Sequence, residues 1–429
     1  MAGHRRGARA IRPARVHPRV VLLWAVCAIL LAIGLNLAAP WILPVRMREG
    51  PLVQMTTENG VTLIWYTTRA AACTVHVSVD GQERTEVAET DGVRSRVRFA
   101  GLSPGTTYAY EIRAGDRPLT RDLAFETART ADERHTFIVF GDSGRGTRGQ
   151  YLLGTEMARA QPPADFVLHT GDMVYDHASR RLYAERFFTP YRHLLARVNF
   201  WPCLGNHDLD DGGRAAAYQE VFEVPANGPP GLPEKRNYWF DYAASRVAVI
   251  DSDVDEATLR DRVAPWLTEV MQEAPARWRF VAFHHPPYTG GKYAPDERIQ
   301  RALVPAIEAG GVDVVFNGHD HTYQRTYPLL GGRVVEPGTG VVYVVTGAGG
   351  AELYAGRQPR PEFVAALDDQ HFSFTQVTIE GDDLRLRQIT LEGAILDEFT
   401  MHKSPEHAEE PYPPTTPATA PLASQPAAP

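Results

Sequence analysis

Two histidines placed two positions apart are the first residues here whose type and spacing indicate chemistry. His319 and His321 lie in the stretch FNGHDHTYQR, directly after a short apolar run and a glycine. Imidazole nitrogens are common metal ligands, but the same pair is also typical of an ordinary polar turn. The interpretation therefore depends on whether partner ligands occur elsewhere in the chain.

The same arrangement recurs four more times along the chain. Each time a short apolar run, expected to be a buried strand, ends in a polar side chain, usually beside glycine. Because ligand sites in open α/β sheets lie at the carboxyl ends of strands, we expect these loops to converge on one site. The candidate residues are Asp142, Asp172, Tyr175, Asn206, His207, Asp208, His284, His285, His319 and His321.

The donor atoms of this set are those of a metal centre without thiolate ligands. Carboxylate oxygen and imidazole nitrogen suit iron, manganese and zinc. Cys27, Cys73 and Cys203 have no zinc-binding spacing, and we expect the latter two to be small buried hydrophobes. One carboxylate can bridge two ions, and two metals about 3.5–4 Å apart can activate water and hold phosphoryl oxygens. The set therefore predicts a two-metal hydrolytic site.

In this order, the motifs GDSG, GDMVY, GNHD, VAFH and GHDH resemble those of the purple acid phosphatases, within the calcineurin-like metallophosphoesterases. The resemblance covers residues 136–400 and implies a four-layer αββα sandwich. In front of it, the segment GLSPGTTYAYEIRA resembles a fibronectin type III domain. The fold class is therefore expected to be α/β (α+β), preceded by a small all-β sandwich.

The resemblance implies two metal sites that share one carboxylate, with one histidine of the opening pair in each. The first metal would be bound by Asp142, Asp172, Tyr175 and His321. The second would be bound by Asp172, Asn206, His284 and His319. The cofactors would be two metal ions, Fe(III) plus a divalent ion (Fe, Zn or Mn).

Tyr175 decides between subfamilies, because many other metallophosphoesterases have a histidine in the first motif, where this chain has Gly144. A phenolate is a hard anionic donor that favours ferric iron. The alternative is that Tyr175 merely packs beneath its loop.

Catalytic and substrate-binding roles are also implied by the resemblance. His207 would contact phosphate or protonate the leaving oxygen, and Asp208 would orient its imidazole. Family members often have further histidines after the fourth motif, but here that segment reads PPYTGGKYAPDERIQ. We expect His285, Lys292 or Tyr293 to replace them in contacting substrate, although His285 is equally compatible with a structural role.

The predicted function is that of an acid phosphatase, which hydrolyses small-molecule or exposed phosphomonoesters with a metal-bound hydroxide. One alternative is a phosphodiesterase or nucleotide pyrophosphatase on the same metals. Another is a catalytically silent surface binding protein. A formal charge of −8 argues against nucleic acid as a partner.

Sequence pattern divides the chain into four parts. Residues 46–130 show alternating apolar runs separated by turn residues, which predicts the β-sandwich. Residues 131–403 alternate β-branched runs with helical stretches at 148–160, 180–197, 256–273 and 296–309, which predicts the α/β catalytic domain. The Pro-, Ala- and Thr-rich residues 404–429 are expected to be a disordered tail.

The N-terminal part, residues 1–45, combines an arginine-rich tail with an uncharged apolar run at about 20–43. This run is long enough to cross a bilayer, and the preceding arginines should remain cytoplasmic. We therefore expect a transmembrane signal anchor with the catalytic domain outside the cytoplasm, in the periplasm or at the cell surface. The alternative is a cleaved signal peptide and a secreted protein.

Overall fold

The computed structural model describes residues 22–31, 44–131 and 133–403. Two units are distinguished, one up to Arg46 and one from Met47 onward. In the first, residues 22–31 are helical. None of the helices in the described part of the chain is long and apolar enough to span a membrane. Most of the predicted anchor at 20–43 and the whole of the predicted tail at 404–429 lie outside the described residues.

The second unit begins with a small β domain of two antiparallel sheets. One sheet has the strand order β1-β2-β6-β5, and the other has the order β4-β3-β7-β8 with β9 also paired to β7. Apolar residues alternate with polar ones along strands such as β3, and the inward set forms one core around Trp65 and Phe99. The strands are β1 (Met47–Thr57), β2 (Gly60–Thr67), β3 (Cys73–Val79), β4 (Gln82–Val87), β5 (Glu89–Asp91), β6 (Arg94–Ala100), β7 (Thr107–Ala114), β8 (Arg117–Pro118) and β9 (Leu123–Glu126).

Two larger sheets follow. The six-stranded sheet has the order β12-β11-β10-β22-β23-β24, and the seven-stranded sheet has the order β13-β14-β15-β16-β20-β17-β21. Strands β10, β11 and β12 are parallel, as are β14, β15, β16 and β20. The strands of these two sheets are β10 (His135–Phe140), β11 (Phe166–His169), β12 (Asn199–Pro202), β13 (Tyr238–Tyr242), β14 (Ser245–Val249), β15 (Trp278–Ala282), β16 (Val314–Asn317), β17 (Tyr323–Thr326), β20 (Val342–Thr346), β21 (Val364–Asp368), β22 (Ser373–Glu380), β23 (Asp383–Thr390) and β24 (Ile395–His402). Strands β18 (Leu329–Leu330) and β19 (Arg333–Val334) form a separate two-stranded hairpin.

Helices cover the outer faces of both sheets. Leu153 and Tyr191, from helices beside the six-stranded sheet, share a core with Phe140. Phe137 of the same sheet instead packs edge-on against Phe280 of the other sheet, so the two sheets share a core. The helical segments are Arg148–Met157, Arg180–Tyr183, Ala184–Phe188, Thr189–Leu195, Asn206–Asp208, Ala216–Val221, Glu256–Thr258, Leu259–Val263, Ala264–Gln272, Glu297–Ala302 and Val304–Ala309. The predicted α/β sandwich with a preceding β domain is confirmed.

Prolines explain where the predicted helices depart from regular geometry. Two predicted helices contain a π-helical turn, Ala184–Phe188 and Leu259–Val263, and proline stands in the first turn of the helix that follows each. Because proline has no N–H to donate and its ring crowds the preceding turn, regular i→i−4 bonding is interrupted there.

The β domain packs directly on the edge of the six-stranded sheet. The Gln54 side chain donates to the carbonyl of Phe200 in β12 and accepts the N–H of Glu223 at 2.7 Å. Arg180 pairs with the buried Glu49 and lies over the Tyr66 ring, 3.8 Å from its centroid. The Gln54 bond thus links the β domain to β12, the strand that precedes Asn206.

A buried histidine at the start of β10 predicts a pH dependence of stability. His135 is 1% exposed, and its Nε2 lies 2.8 Å from the Ser245 hydroxyl. Burial lowers its pKa from the usual 6.5 to about 4. Since the unfolded chain then binds the proton more readily, stability should fall as the pH falls from about 6.5 to about 4. At about 1.4 kcal/mol per pKa unit, we expect this residue to cost about 3 kcal/mol across that window.

The measurement is urea unfolding of the metal-free protein at several pH values, for wild type and His135→Gln. The variant should be less sensitive to acid between pH values of about 4 and 6.5. If the free energy of unfolding changed with pH equally in wild type and variant, His135 would not be the source of the acid sensitivity.

Candidate metal centre

The predicted ligands lie on loops at the carboxyl ends of strands from both large sheets. Asp142 follows β10, Asp172 follows β11, and Asn206 follows β12 in the six-stranded sheet. His284 follows β15 and His319 follows β16 in the seven-stranded sheet. Ligand groups of Asp142, Asp172 and His284 come within 4.8 Å of one another, and all three residues are buried. The site therefore lies where the ends of the two sheets meet.

Three of these residues adopt left-handed backbone conformations. The φ angles are 56° at Asp142, 58° at Asp172 and 69° at His319. Such a conformation is uncommon for residues other than glycine and costs on the order of 1–3 kcal/mol where the surroundings impose it. The fold thus imposes backbone strain at these positions, and this strain is characteristic of functional sites.

Glycines beside the ligands allow the loops to approach one another closely. A Cβ on Gly318 would lie 2.5 Å from Asp142 Oδ2, and one on Gly205 would lie 2.3 Å from the Asp172 nitrogen. Only glycine fits such spaces without displacing a ligand.

The first group of side chains surrounds Asp142. The Tyr175 hydroxyl is 3.4 Å from Asp142 Oδ1 and donates to His321 Nε2 at 2.9 Å. His321 Nδ1 lies 2.6 Å from the Glu352 carbonyl oxygen, so it carries the proton and leaves Nε2 as the acceptor. The His319 backbone N–H donates to both carboxylate oxygens of Asp142.

The second group surrounds Asp172. His284 Nε2 is 3.4 Å from Asp172 Oδ2, while His284 Nδ1 donates to the Thr170 carbonyl oxygen at 2.9 Å. The His207 backbone N–H donates to Asp172 Oδ1 at 2.9 Å. The His319 ring packs 5.1 Å from His284, measured between ring centroids. His319 and His321 therefore face different groups of ligands, although they are two residues apart.

Comparison with known proteins identifies the family. Residues 135–323 match the family model described as calcineurin-like phosphoesterase, and residues 340–398 match iron/zinc purple acid phosphatase-like protein C. The chain is a calcineurin-like metallophosphoesterase that resembles the purple acid phosphatases. The predicted family is thus confirmed.

A solved structure with the same fold is that of the purple acid phosphatase PPD1 from yellow lupin seeds. Its TM-score is 0.73 at 18% identity, over 87% of this chain and 77% of the lupin chain. An uncharacterised protein of Mycobacterium tuberculosis is 25% identical over 354 residues, 68% of this chain. A probable inactive purple acid phosphatase of Arabidopsis thaliana is 22% identical over 359 residues, 70% of this chain. This chain spans only 64% and 56% of these two relatives' lengths.

The residues of this metallophosphoesterase fit a metal centre in three respects. His284 Nε2 and Asn206 Oδ1 are buried without a hydrogen-bond partner, although such atoms normally have one. Asp142 and Asp172 are both buried, and within the described residues their ion-pair contacts are with His321 and His284, not with Lys or Arg. Buried carboxylates require a compensating cation. Each of two candidate histidine ligands is oriented by a backbone carbonyl, as is usual for metal-bound imidazole.

The pKa shifts of the buried site residues also indicate a metal centre. Burial and the Asp172 charge raise the pKa of Asp142, although the His284 charge opposes this rise. Burial lowers the pKa of His284, but the carboxylates of Asp172 and Asp142 outweigh it and raise the value to about 10. Burial also raises the pKa of the Tyr175 phenol. A strongly electrophilic cation is therefore needed for Tyr175 to act as a phenolate.

Asp208 has a different role from the one expected. Its carboxylate accepts the N–H groups of Gly205, Asp172 and Met173 and the hydroxyl of Tyr183. His207 Nδ1 instead lies 3.4 Å from the Asp176 carbonyl oxygen. The expectation that Asp208 orients the His207 imidazole is therefore wrong, because its bonds tie the loop of Asp172 to Gly205 and Tyr183 and none goes to the His207 ring.

Two of the residues expected to contact substrate, His285 and Tyr293, lie beside His319. The His285 ring is 4.6 Å from that of His319, and His285 Nδ1 is tied to the Ser252 hydroxyl at 2.9 Å. Tyr293 stacks on His319 with ring centroids 4.4 Å apart. Lys292 is exposed, and its ammonium lies over the ring of Tyr354. Tyr354 was not among the residues predicted from the sequence.

Two further residues at the site were missed. Arg145 places its guanidinium 4.3 Å from the Tyr175 ring centroid and pairs with Asp176 at 2.6 Å. Tyr354 stacks on His321 with centroids 4.0 Å apart and the rings 10° from parallel. Arg145 directly follows GDSG and Tyr354 closely follows GAGG, but nothing in those stretches distinguishes a site residue from a surface one.

Proposed function

We propose that this protein hydrolyses phosphate monoesters at a two-metal centre containing Fe(III) and a divalent ion. The observation that carries the proposal is the buried cluster of Asp142, Asp172 and His284, in which His284 Nε2 lacks a hydrogen-bond partner. Asp142, Asp172, Tyr175 and His321 would hold one ion, and Asp172, Asn206, His284 and His319 the other. Bound at these residues, the metal ions would activate water and neutralise charge on the phosphoryl oxygens.

The protein's own groups would bind and protonate the substrate. His207 is half-buried, and its ring packs 4.6 Å from Tyr175. Its Nδ1 faces the Asp176 carbonyl oxygen, which leaves Nε2 to donate a proton to the leaving alkoxide. Lys292, Tyr293 and His285 would contact the substrate on the side of His319. Burial, aided by the nearby His284 and His319 charges, lowers the pKa of His285, so it would act as a neutral partner.

The experiment is a visible absorption spectrum of the purified full chain loaded with iron and zinc, with both metals quantified. We expect a purple band that is lost in Tyr175→Phe, together with hydrolysis of an aryl phosphate that chelation abolishes. Tyr183→Phe, another buried tyrosine beside the same loop, is the matched control and should keep the band.

Three outcomes would contradict the proposal. A colourless protein filled with manganese or zinc would remove the ferric assignment. Faster cleavage of a bis-aryl diester than of the monoester would favour the phosphodiesterase. Full metal occupancy without hydrolysis of either ester would favour a catalytically silent binding protein.

We also propose that the catalytic unit lies outside the cytoplasm, tethered by the apolar run at 20–43. The support is the arginine-rich stretch before this uncharged run. N-terminal sequencing of the mature protein tests it: an intact N-terminus is expected, whereas a new one after residue 43 would indicate a cleaved, secreted form.

A further inference from the structure

Two tyrosine rings line one side of the metal centre, each flat against a histidine of a different proposed metal. Tyr354 lies on His321 with centroids 4.0 Å apart and an angle of 10°. Tyr293 lies on His319 with centroids 4.4 Å apart and an angle of 25°. The two tyrosine rings meet edge to face, 5.7 Å apart at 83°. They therefore form a continuous aromatic wall beside both ligands.

The Lys292 ammonium is held against this wall. Its Nζ is 4.0 Å from the Tyr354 centroid and 5.3 Å from the Tyr293 centroid. Since His321 covers one face of Tyr354, the ammonium takes the other face. An ammonium over a tyrosine ring is held by cation–π attraction.

No carboxylate forms an ion pair with Lys292 among the residues that the structure describes. The Asp320 carboxylate accepts the Lys292 backbone N–H at 2.9 Å, and no ion pair joins it to the Lys292 ammonium. The positive charge of Lys292 is therefore positioned but not neutralised by an acidic side chain, which leaves it available to an anion.

The backbone that carries Lys292 is fixed from the same loop as the two histidines. Asp320, between His319 and His321, also accepts the hydroxyl of Thr289. The Gln324 side chain accepts the Gly290 N–H at 2.6 Å. The position of Lys292 is thus coupled to that of the proposed metal ligands.

We propose that Lys292 recognises the second negative charge of a phosphomonoester dianion from the outer face of this aromatic wall, and that Tyr354 is a positioning residue that holds its ammonium there. A diester monoanion has one negative charge fewer, so the same cation favours monoesters over diesters. The proposal rests on the proposed function and specifies its substrate class. It also accounts for the absence of histidines after the fourth motif.

The test compares full-length, metal-loaded variants on an aryl monoester, its bis-aryl diester and inorganic phosphate. Lys292→Met should lower kcat/KM for the monoester about tenfold to hundredfold, mainly through KM, since a charge-assisted bond is lost. The kcat/KM for the diester should fall by less than about threefold. The Kd for inorganic phosphate, measured by calorimetry, should rise by about the same factor as kcat/KM for the monoester falls. Lys292→Arg should recover part of the loss. Arg333→Met, on an exposed hairpin, is the matched control for removal of one positive charge.

Tyr354 variants test the positioning role. Tyr354→Leu should reproduce the selective loss on monoesters and phosphate, whereas Tyr354→Phe, which keeps the ring, should lose much less. An unchanged monoester-to-diester ratio and an unchanged phosphate Kd in Lys292→Met would overturn the role of Lys292. A selective loss in Lys292→Met but not in Tyr354→Leu would overturn the role of Tyr354. If the wild type cleaves neither ester, the proposed function fails, while phosphate calorimetry still decides whether Lys292 binds the anion.

Discussion

Replacing Asp172 with asparagine is expected to empty the metal centre and to lower kcat/KM for an aryl phosphate by more than about a thousandfold. Bound metals contribute several kcal/mol of charge stabilisation, and each 1.4 kcal/mol is about tenfold in rate. Asp172 is 1% exposed, and its ligand oxygen lies within 4.8 Å of those of Asp142 and His284. Asparagine has the same shape and keeps an oxygen to accept the His207 N–H, so the substitution removes little besides the charge.

Metal content after dialysis against a weak chelator is the direct measurement for Asp172→Asn. Asp116→Asn, on an exposed turn of the β domain, is the control and should retain metal and activity. Without metal, the Asp172→Asn protein should unfold at a lower temperature than metal-free wild type, because the buried His284 loses the carboxylate that raises its pKa. An Asp172→Asn protein that still binds two metals would exclude the bridging role.

Replacing Asp208 with alanine is expected to lower the free energy of unfolding by about 5 kcal/mol. The carboxylate accepts three backbone N–H groups, from Gly205, Asp172 and Met173, at 2.8–3.1 Å. Each buried donor left without an acceptor costs about 1–3 kcal/mol. Asp208 is fully buried, so water cannot readily replace it.

Urea unfolding of the metal-free protein measures this loss, and Tyr183→Phe provides a graded control. That substitution removes a fourth donor, at 2.9 Å, without leaving a buried N–H unsatisfied, and should cost about 1 kcal/mol. Equal losses in the two variants would contradict the structural role. If Asp208→Ala instead folded normally and altered only the pH dependence of turnover, orientation of His207 would be the correct role after all.

Neighbouring positions in the sequence explain why the role of Asp208 was predicted wrongly. Asn206, His207 and Asp208 form one turn of 3₁₀ helix, in which successive side chains diverge. His207 faces Asp176 and Tyr175, and Asp208 faces the buried backbone of the next loop. Adjacency along the chain therefore did not predict contact in space.

The C-terminal strands show a second limit of prediction from the sequence. Ser373–Glu380, Asp383–Thr390 and Ile395–His402 were not identified from sequence, yet the first pairs antiparallel with β10. This pairing joins residues more than two hundred positions apart, and such partners leave no local signal in the strands themselves.

The sequence by itself determined which residues stand at strand ends. An apolar run followed by glycine and a polar side chain is a local pattern, and a buried strand presents its next residue at the sheet edge whatever its partners are. The candidate residues followed from that pattern, whereas the family, the four-layer fold and the division of the ligands followed from the resemblance of the motifs. The tertiary structure decided which of these residues meet. Asp142 and Asp172 follow strands of one sheet, whereas His284 and His319 follow strands of the other. The candidate site therefore forms only because the two sheets pack together. Tyr354 joins the site by the same non-local packing, which brings its ring onto His321 and under Lys292.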